Sequence, residues 1–276
     1  MTLLFRFSFC LAALFMAAMP LNLAQAQSDE GIELTEADEA ALQLALSRGQ
    51  AIYNYDKAAW LATDAMLEAI ADPGAEGLRG WIVEQEAAGW RVTFYKQLDD
   101  GYAGVFEGVF DGKELIGSGR VPAERAKLNA DQILLVEARA AVENVGIQRC
   151  SDQRLNHVVM PSGKDDGSLF VYYLVSQPDA SSVEMGGHHR FEIRDGKQVA
   201  MRKFTNSCLS MGFGENEAGG RPEALVVTHL LDPVPTEIHV FNTLAARTPI
   251  YVSTTENKHL WAIEISDGQA RARRLK

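Results

Sequence analysis

Cys150 and Cys208 are the residues whose type and spacing define a chemistry most directly. Two thiols with 57 residues between them can close a loop as a disulfide, or one of them can act as a nucleophile. The compartment decides between these. Arg6 precedes an apolar run over residues 7–19, and Ala24-Gln25-Ala26 puts small residues just before the polar Gln27-Ser28-Asp29-Glu30. That is the layout of a secretory signal peptide over residues 1–26. The run is shorter than the roughly 20 apolar residues a membrane-spanning helix needs. Cleavage removes Cys10 and leaves Cys150 and Cys208 as a matched pair in an oxidising compartment, so a Cys150–Cys208 disulfide is expected. Closing that loop is worth about 4 kcal/mol in the chain-entropy account. The nucleophile alternative lacks support, because Asn206-Ser207-Cys208-Leu209-Ser210 has no family-specific context.

The histidines are the other candidates for chemistry. His188 and His189 open a strand, where successive side chains face opposite ways, so the pair does not converge on one metal. His229 ends an apolar run and reads first as a hydrogen-bonded residue at a strand end. His157 and His259 have no supporting neighbours. There is no Gly-x-Ser-x-Gly elbow and no P-loop; the glycines between Gly101 and Gly119 belong to hairpins. Trp81, Trp90, Phe94, Tyr95, Tyr102, Phe106 and Phe110 fall at strand spacing and read as core rather than as a ligand groove.

These residues need elements to position them. Residues 34–72 have helical periodicity, with Thr35 and Asp38 spaced as a capping box. Leu34, Ala37, Ala41, Leu42, Leu44 and Ala45 form the first apolar stripe. Gly49 and Tyr53-Asn54-Tyr55 suggest a break, with a second helix through Trp60, Leu61, Met66, Leu67 and Ile70. Gly89, Asp99-Asp100-Gly101 and Asp111-Gly112 then divide residues 80–121 into a four-strand antiparallel meander with one solvated face. A third helix is expected over 129–144, burying Ile133, Leu134, Val136, Ala140, Ala141 and Val145. Strands follow at 155–160, 168–176, 187–194 and 197–204, the last two flanking an Asp195-Gly196 turn. Residues 168–176 are apolar on both faces, as in a central strand. Residues 215–221 read as a loop, 224–230 as a buried strand, and 249–253 and 260–265 as two more. Residues 236–246 fit either a helix capped by Thr236 or a strand; the helix is preferred. The basic end, Arg271-Ala272-Arg273-Arg274-Leu275-Lys276, reads as a frayed solvated tail.

Residues 27–276 hold 25 basic and 37 acidic side chains, a net charge of −12. The excess lies in residues 27–150, with 11 basic against 22 acidic, while residues 151–276 are nearly balanced at 14 against 15. Such a surface disfavours nucleic acid and anionic membrane as partners. Charge and pattern shift near Cys150, which suggests a helical and meander domain over 27–150 and a mixed α/β domain over 151–276, together an α+β fold.

One stretch carries a family pattern. Val226-Val-Thr-His229-Leu-Leu-Asp232-Pro-Val-Pro-Thr236-Glu-Ile-His239 is followed by Thr248-Pro249-Ile250-Tyr251-Val252-Ser253 and Trp261-Ala262-Ile263. With Glu184 and His188-His189 upstream, residues 184–265 resemble degenerate JAB/MPN-like (JAMM) domains. The family's layout is a strand ending in His-x-His-Pro, a loop, Ser-x-x-Asp opening a helix, then a strand, with a Glu upstream. Its active members bind zinc and hydrolyse isopeptide or peptide bonds. The resemblance implies His229 and His239 as metal-site residues and Glu184 as general base. It also has departures: Leu231 stands at the second His, Asp232 at the Pro, Thr236 at the Ser and His239 at the Asp. A catalytic zinc requires three protein ligands and an open position for water, and the carried-over pattern supplies two histidines.

The leading expectation is therefore a periplasmic or secreted non-catalytic protein without a cofactor, binding another protein or an envelope component, and with no membrane span once the signal is removed. The alternative is a divergent zinc-dependent (iso)peptidase-like hydrolase in the C-terminal half.

Overall fold

Thr35 starts the longest element. In a computed structural model that describes residues 33–177, 181–213 and 222–275, its hydroxyl accepts the Asp38 N–H at 3.1 Å while Asp38 Oδ2 accepts the Thr35 N–H at 3.0 Å. The signal segment 1–26 and the 215–221 loop lie outside the described residues. Helix α1 then runs unbroken over Glu36–Ala69, so the expected break at Gly49 does not occur. A Cβ at Gly49 would lie 2.6 Å from Val240 Cγ1 and 2.7 Å from the Glu237 carbonyl oxygen. The glycine is there because another helix crosses α1 at this point, and a packing glycine looks the same in sequence as a helix breaker. The buried face runs through Leu42, Ala45, Ile52, Tyr55, Ala58, Ala62 and Met66. Leu44, Trp60 and Leu67, expected inside, face solvent, and Lys57 covers the Trp60 ring at 3.9 Å.

Strands β1 (Leu78–Glu86), β2 (Gly89–Leu98), β3 (Gly101–Phe110) and β4 (Leu115–Arg120) form the expected antiparallel meander in sequential order. Val92, Phe94, Phe106 and Phe110 pack on α1. The opposite face is not simply solvated: Ile82 and Tyr95 there are covered by Leu128 and by Val136 of α2 (Ala130–Ala140). Asn129 and Gln132 cap α2 reciprocally. Leu134 and Ala140 are exposed, and Ala138 and Val142 take the buried positions instead, because α2 must cover two sheets rather than one.

Strands β5 (Asn156–Pro161) and β6 (Leu169–Leu174) precede a short β7 (Ser182–Glu184), then β8 (His189–Arg194) and β9 (Lys197–Lys203). The sheet order is β5-β6-β8-β9, all antiparallel, with β6 internal as its apolar sequence requires. Asp195 and Gly196 turn the β8–β9 hairpin at φ of 50° and 69°. Strand β10 (Ser210–Gly212) pairs with β7.

Strand β11 (Leu225–His229) feeds α3 (Glu237–Ala246), which returns to β12 (Ile250–Thr254) in parallel; β13 (His259–Ser266) and β14 (Gln269–Leu275) extend the sheet antiparallel. Residues 237–246 are therefore helix. β11 is an edge strand with one covered face, and Val226 on the other is 61% exposed. The basic tail is not frayed. In β14, Ala270 and Ala272 pack inward while Arg273 pairs with Glu264 of β13 at 3.0 Å.

The architecture is α+β, with antiparallel sheets and one mixed sheet near the end of the chain. The largest apolar cluster joins both sides of Cys150, with Ile52 and Phe106 packed alongside Phe170 and Ile238. Cys150 and Cys208 are disulfide-bonded, with Cα atoms 5.2 Å apart. The bond ties the segment after α2 to the segment between β9 and β10. Gly187, at φ 85°, passes so close that a Cβ would lie 2.6 Å from Cys150 Sγ. Among the described residues no helix is long and apolar enough to cross a membrane.

Candidate functional site

α3 enters the core almost entirely buried, and its first turn meets two of the histidines the sequence singles out, His229 and His239. His239 sits at the third helical position. Its Nδ1 accepts the Thr236 backbone N–H at 3.0 Å, and Thr236 Oγ1 lies 3.0 Å from the same nitrogen. A neutral imidazole has one in-plane lone pair, and this bond uses it, so the ring proton resides on Nε2. Burial, followed by the neighbouring His229, pushes the His239 pKa down to about 3, so the ring is neutral.

β11 delivers His229 to the same place. The two rings meet edge to face, centroids 4.7 Å apart at 82°. His229 Nε2 is 2.8 Å from Asp232 Oδ2. The Asp232 carboxylate also receives Arg202 Nη2 from β9, at 2.7 and 2.8 Å. Burial raises the Asp232 carboxyl, but the hydrogen bond from His229 and the charge of Arg202 outweigh it and hold the pKa below its ordinary value. The result is a continuous Arg202–Asp232–His229 chain lying against His239.

A second polar chain runs beside it. Glu237 of α3 accepts from Arg190 of β8 and from the Tyr172 hydroxyl of β6, the latter at 3.2 Å. Arg190 and Arg48 lie over the Phe170 ring at 4.4 and 4.9 Å. Arg190 and Arg202 occupy facing positions on paired strands. Arg190, Arg202, Glu237 and Tyr172 carry no local signal in the sequence, because their partners are 30 to 65 residues away.

Glu184 ends β7, where its Oε1 accepts the Ser210 hydroxyl at 2.7 Å. Its carbonyl is met by Asn242 Nδ2 of α3 at 3.0 Å and by His188 Nε2 at 2.7 Å. The Val175 N–H donates to His188 Nδ1 at 3.2 Å, which fixes the proton of this neutral ring on Nε2. Burial pushes the His188 pKa down to about 4. His189 engages the Gly187 carbonyl through Nδ1 at 2.9 Å.

The fold thus brings His229 and His239 together, and it engages Glu184 with Ser210. Among the described residues no three His, Cys, Asp or Glu side chains are grouped as a metal-ligand set. Ligation through His239 requires either opening the Thr236 cap bond or removing the Nε2 proton. As built, the arrangement can relay hydrogen bonds and hold strand, loop and helix in register. Scanned against known proteins, the chain matches no protein-family model, no curated protein and no solved structure.

Proposed function

We propose that the protein is a non-catalytic binding protein of an exported, oxidising compartment, in which Arg202, Asp232, His229 and His239 form an internal polar strut. The observation that carries this reading is the Thr236–His239 bond, which spends the one lone pair His239 has for a metal. The Cys150–Cys208 disulfide supports the compartment, since such bonds persist where thiols are oxidised. A binder of another protein or of an envelope component needs only the rigid frame this strut supports.

The 4.7 Å approach of the two rings is the one feature that favours the alternative, a divergent zinc-dependent hydrolase using His229 and His239 with Glu184 as general base. Zinc in that setting would polarise a scissile carbonyl and its bound water.

Metal analysis of protein purified without a histidine tag separates the two. The binding reading expects no stoichiometric zinc and a melting temperature indifferent to chelator. About one zinc per chain, lost on His229→Ala, overturns it.

A further inference from the structure

A cavity of about 530 Å³ opens where the segment after α2 crosses the beginning of β5 and the end of β6. That volume falls within the roughly 300–1,000 Å³ of small-ligand sites. Arg139, Arg149 and Arg154 line it, and Glu143 is the one acid among the lining residues. The three cations converge in a chain whose net charge is −11.

Their own partners leave most of that charge uncompensated. Glu143 lies 3.9 Å from Arg139 and offsets one arginine in part. Arg149 donates to the Gln153 carbonyl at 2.6 Å, a neutral partner. The Arg154 guanidinium has no ion pair among the described residues. Guanidinium groups gathered without carboxylates repel one another until an anion enters between them.

His157 gives the cavity wall a ring that can report on binding. It lines the cavity, is only 7% exposed, and stacks on Trp81 with ring centroids 4.2 Å apart. Its Nε2 is buried without a hydrogen-bond partner among the described residues. Burial holds this ring neutral, so it adds no charge of its own to the cavity. Tyr173 brings a hydroxyl to the same wall, while Val145, Ile147 and Leu155 supply apolar surface.

We propose that this cavity binds a small organic oxyanion, a phosphate monoester or a carboxylate, held by Arg149 and Arg154 with its apolar body against Val145, Ile147 and Leu155. The planar fork of arginine suits both oxyanions. The assignment rests on the protein being a binder rather than a hydrolase, and it names the chemistry of what is bound. The disulfide then acts locally as well. Cys150 lies between Arg149 and Arg154 in the chain, so its bond to Cys208 fixes the stretch that carries both.

The test is calorimetric titration of the full chain with phenylphosphate, benzoate and inorganic phosphate, with the His157 ring signal followed by NMR. Phenylphosphate or benzoate should saturate, at least about tenfold more tightly than inorganic phosphate because of the apolar body, and should move the His157 signal. The tighter of the two names the oxyanion class. Arg154→Gln and Arg149→Gln, both exposed positions, should each weaken binding about tenfold with melting temperature unchanged. The proposal is overturned if none of the three probes saturates by about 20 mM, or if both variants bind as the parent does. Zinc content is untouched by that failure, so metal analysis still decides separately between binder and hydrolase.

Discussion

The imidazole of His239 accepts the Thr236 backbone N–H at 3.0 Å, so a histidine closes the first turn of α3 where glutamate or glutamine usually reaches back. This bond makes His239 a cap, and a cap has a different substitution pattern from a metal ligand. Gln reproduces the acceptor and most of the volume. His239→Gln should therefore cost under about 1 kcal/mol in urea unfolding, while His239→Ala, losing both cap and packing, should cost about 2–4 kcal/mol. Equal losses for both variants would count against the cap role.

Gly49 offers a prediction opposite in sign to helix propensity. In an open helix interior Gly→Ala stabilises by roughly 0.5–1 kcal/mol. Here the added methyl would sit 2.6 Å from Val240 Cγ1 and 2.7 Å from the Glu237 carbonyl. Gly49→Ala should destabilise by about 1–3 kcal/mol. Val240→Ala should relieve only part of this in a double-mutant cycle, because the Glu237 carbonyl stays in place. A stabilised Gly49→Ala would mean that the two helices are free to move apart.

Acid should weaken the fold early. Burial pushes His157 down to about 3, His188 to about 4 and His239 to about 3. Each lies below the ordinary value of 6.5, so the unfolded chain takes up protons that the folded chain refuses. The stability these rings contribute is full above about pH 6.5 and is lost as pH falls toward their folded values. At about 1.4 kcal/mol per pH unit for each, three rings remove about 4 kcal/mol per unit. Asp56 opposes this: burial raises its pKa to about 6, so protonation between about pH 6 and 4 favours the folded state. The net loss, about 5 kcal/mol at pH 5 and about 8 kcal/mol at pH 4, consumes the lower part of a typical domain's roughly 5–15 kcal/mol, and should be seen as a urea midpoint that falls steeply below pH 6. His188→Gln should make that fall shallower. A stability in urea that does not fall between pH 6.5 and pH 4.5 would rule out buried neutral rings.

What can be read from the sequence divides along the range of the interactions. The meander is legible because Asp-Gly turns act over two residues, and the Cys150–Cys208 bond because a lone pair of thiols leaves little choice of partner. Helix α1 reads as broken at Gly49 because the glycine's partner, Val240, lies in another element far along the chain. The end of β14 reads as a frayed tail for the same reason: alternating alanine and arginine becomes a strand only once β13 is beside it. Around His239 the sequence points to the histidines but not to Arg202 or Arg190, since arginine on an alternating strand reads as a solvated face until the fold places a buried carboxylate opposite it. The arginines of the cavity are hidden too, spread over a helix end and a connecting segment that has no periodicity of its own.

The crossing of α1 over α3 also dictates how late this chain can become native. Gly49 waits for Val240, and Gln50 Oε1 accepts the Ala270 N–H at 3.2 Å across 220 positions. Closing a loop of that length costs about 5 kcal/mol of chain entropy before any contact repays it. The later turns of α1 can pack on the meander as soon as β2 and β3 form, but the stretch around Gly49 and Gln50 must wait for α3 and β14, and folding should be slow to complete. A chain built this way can shape its first half early, but it seals its core only when the last strand is present.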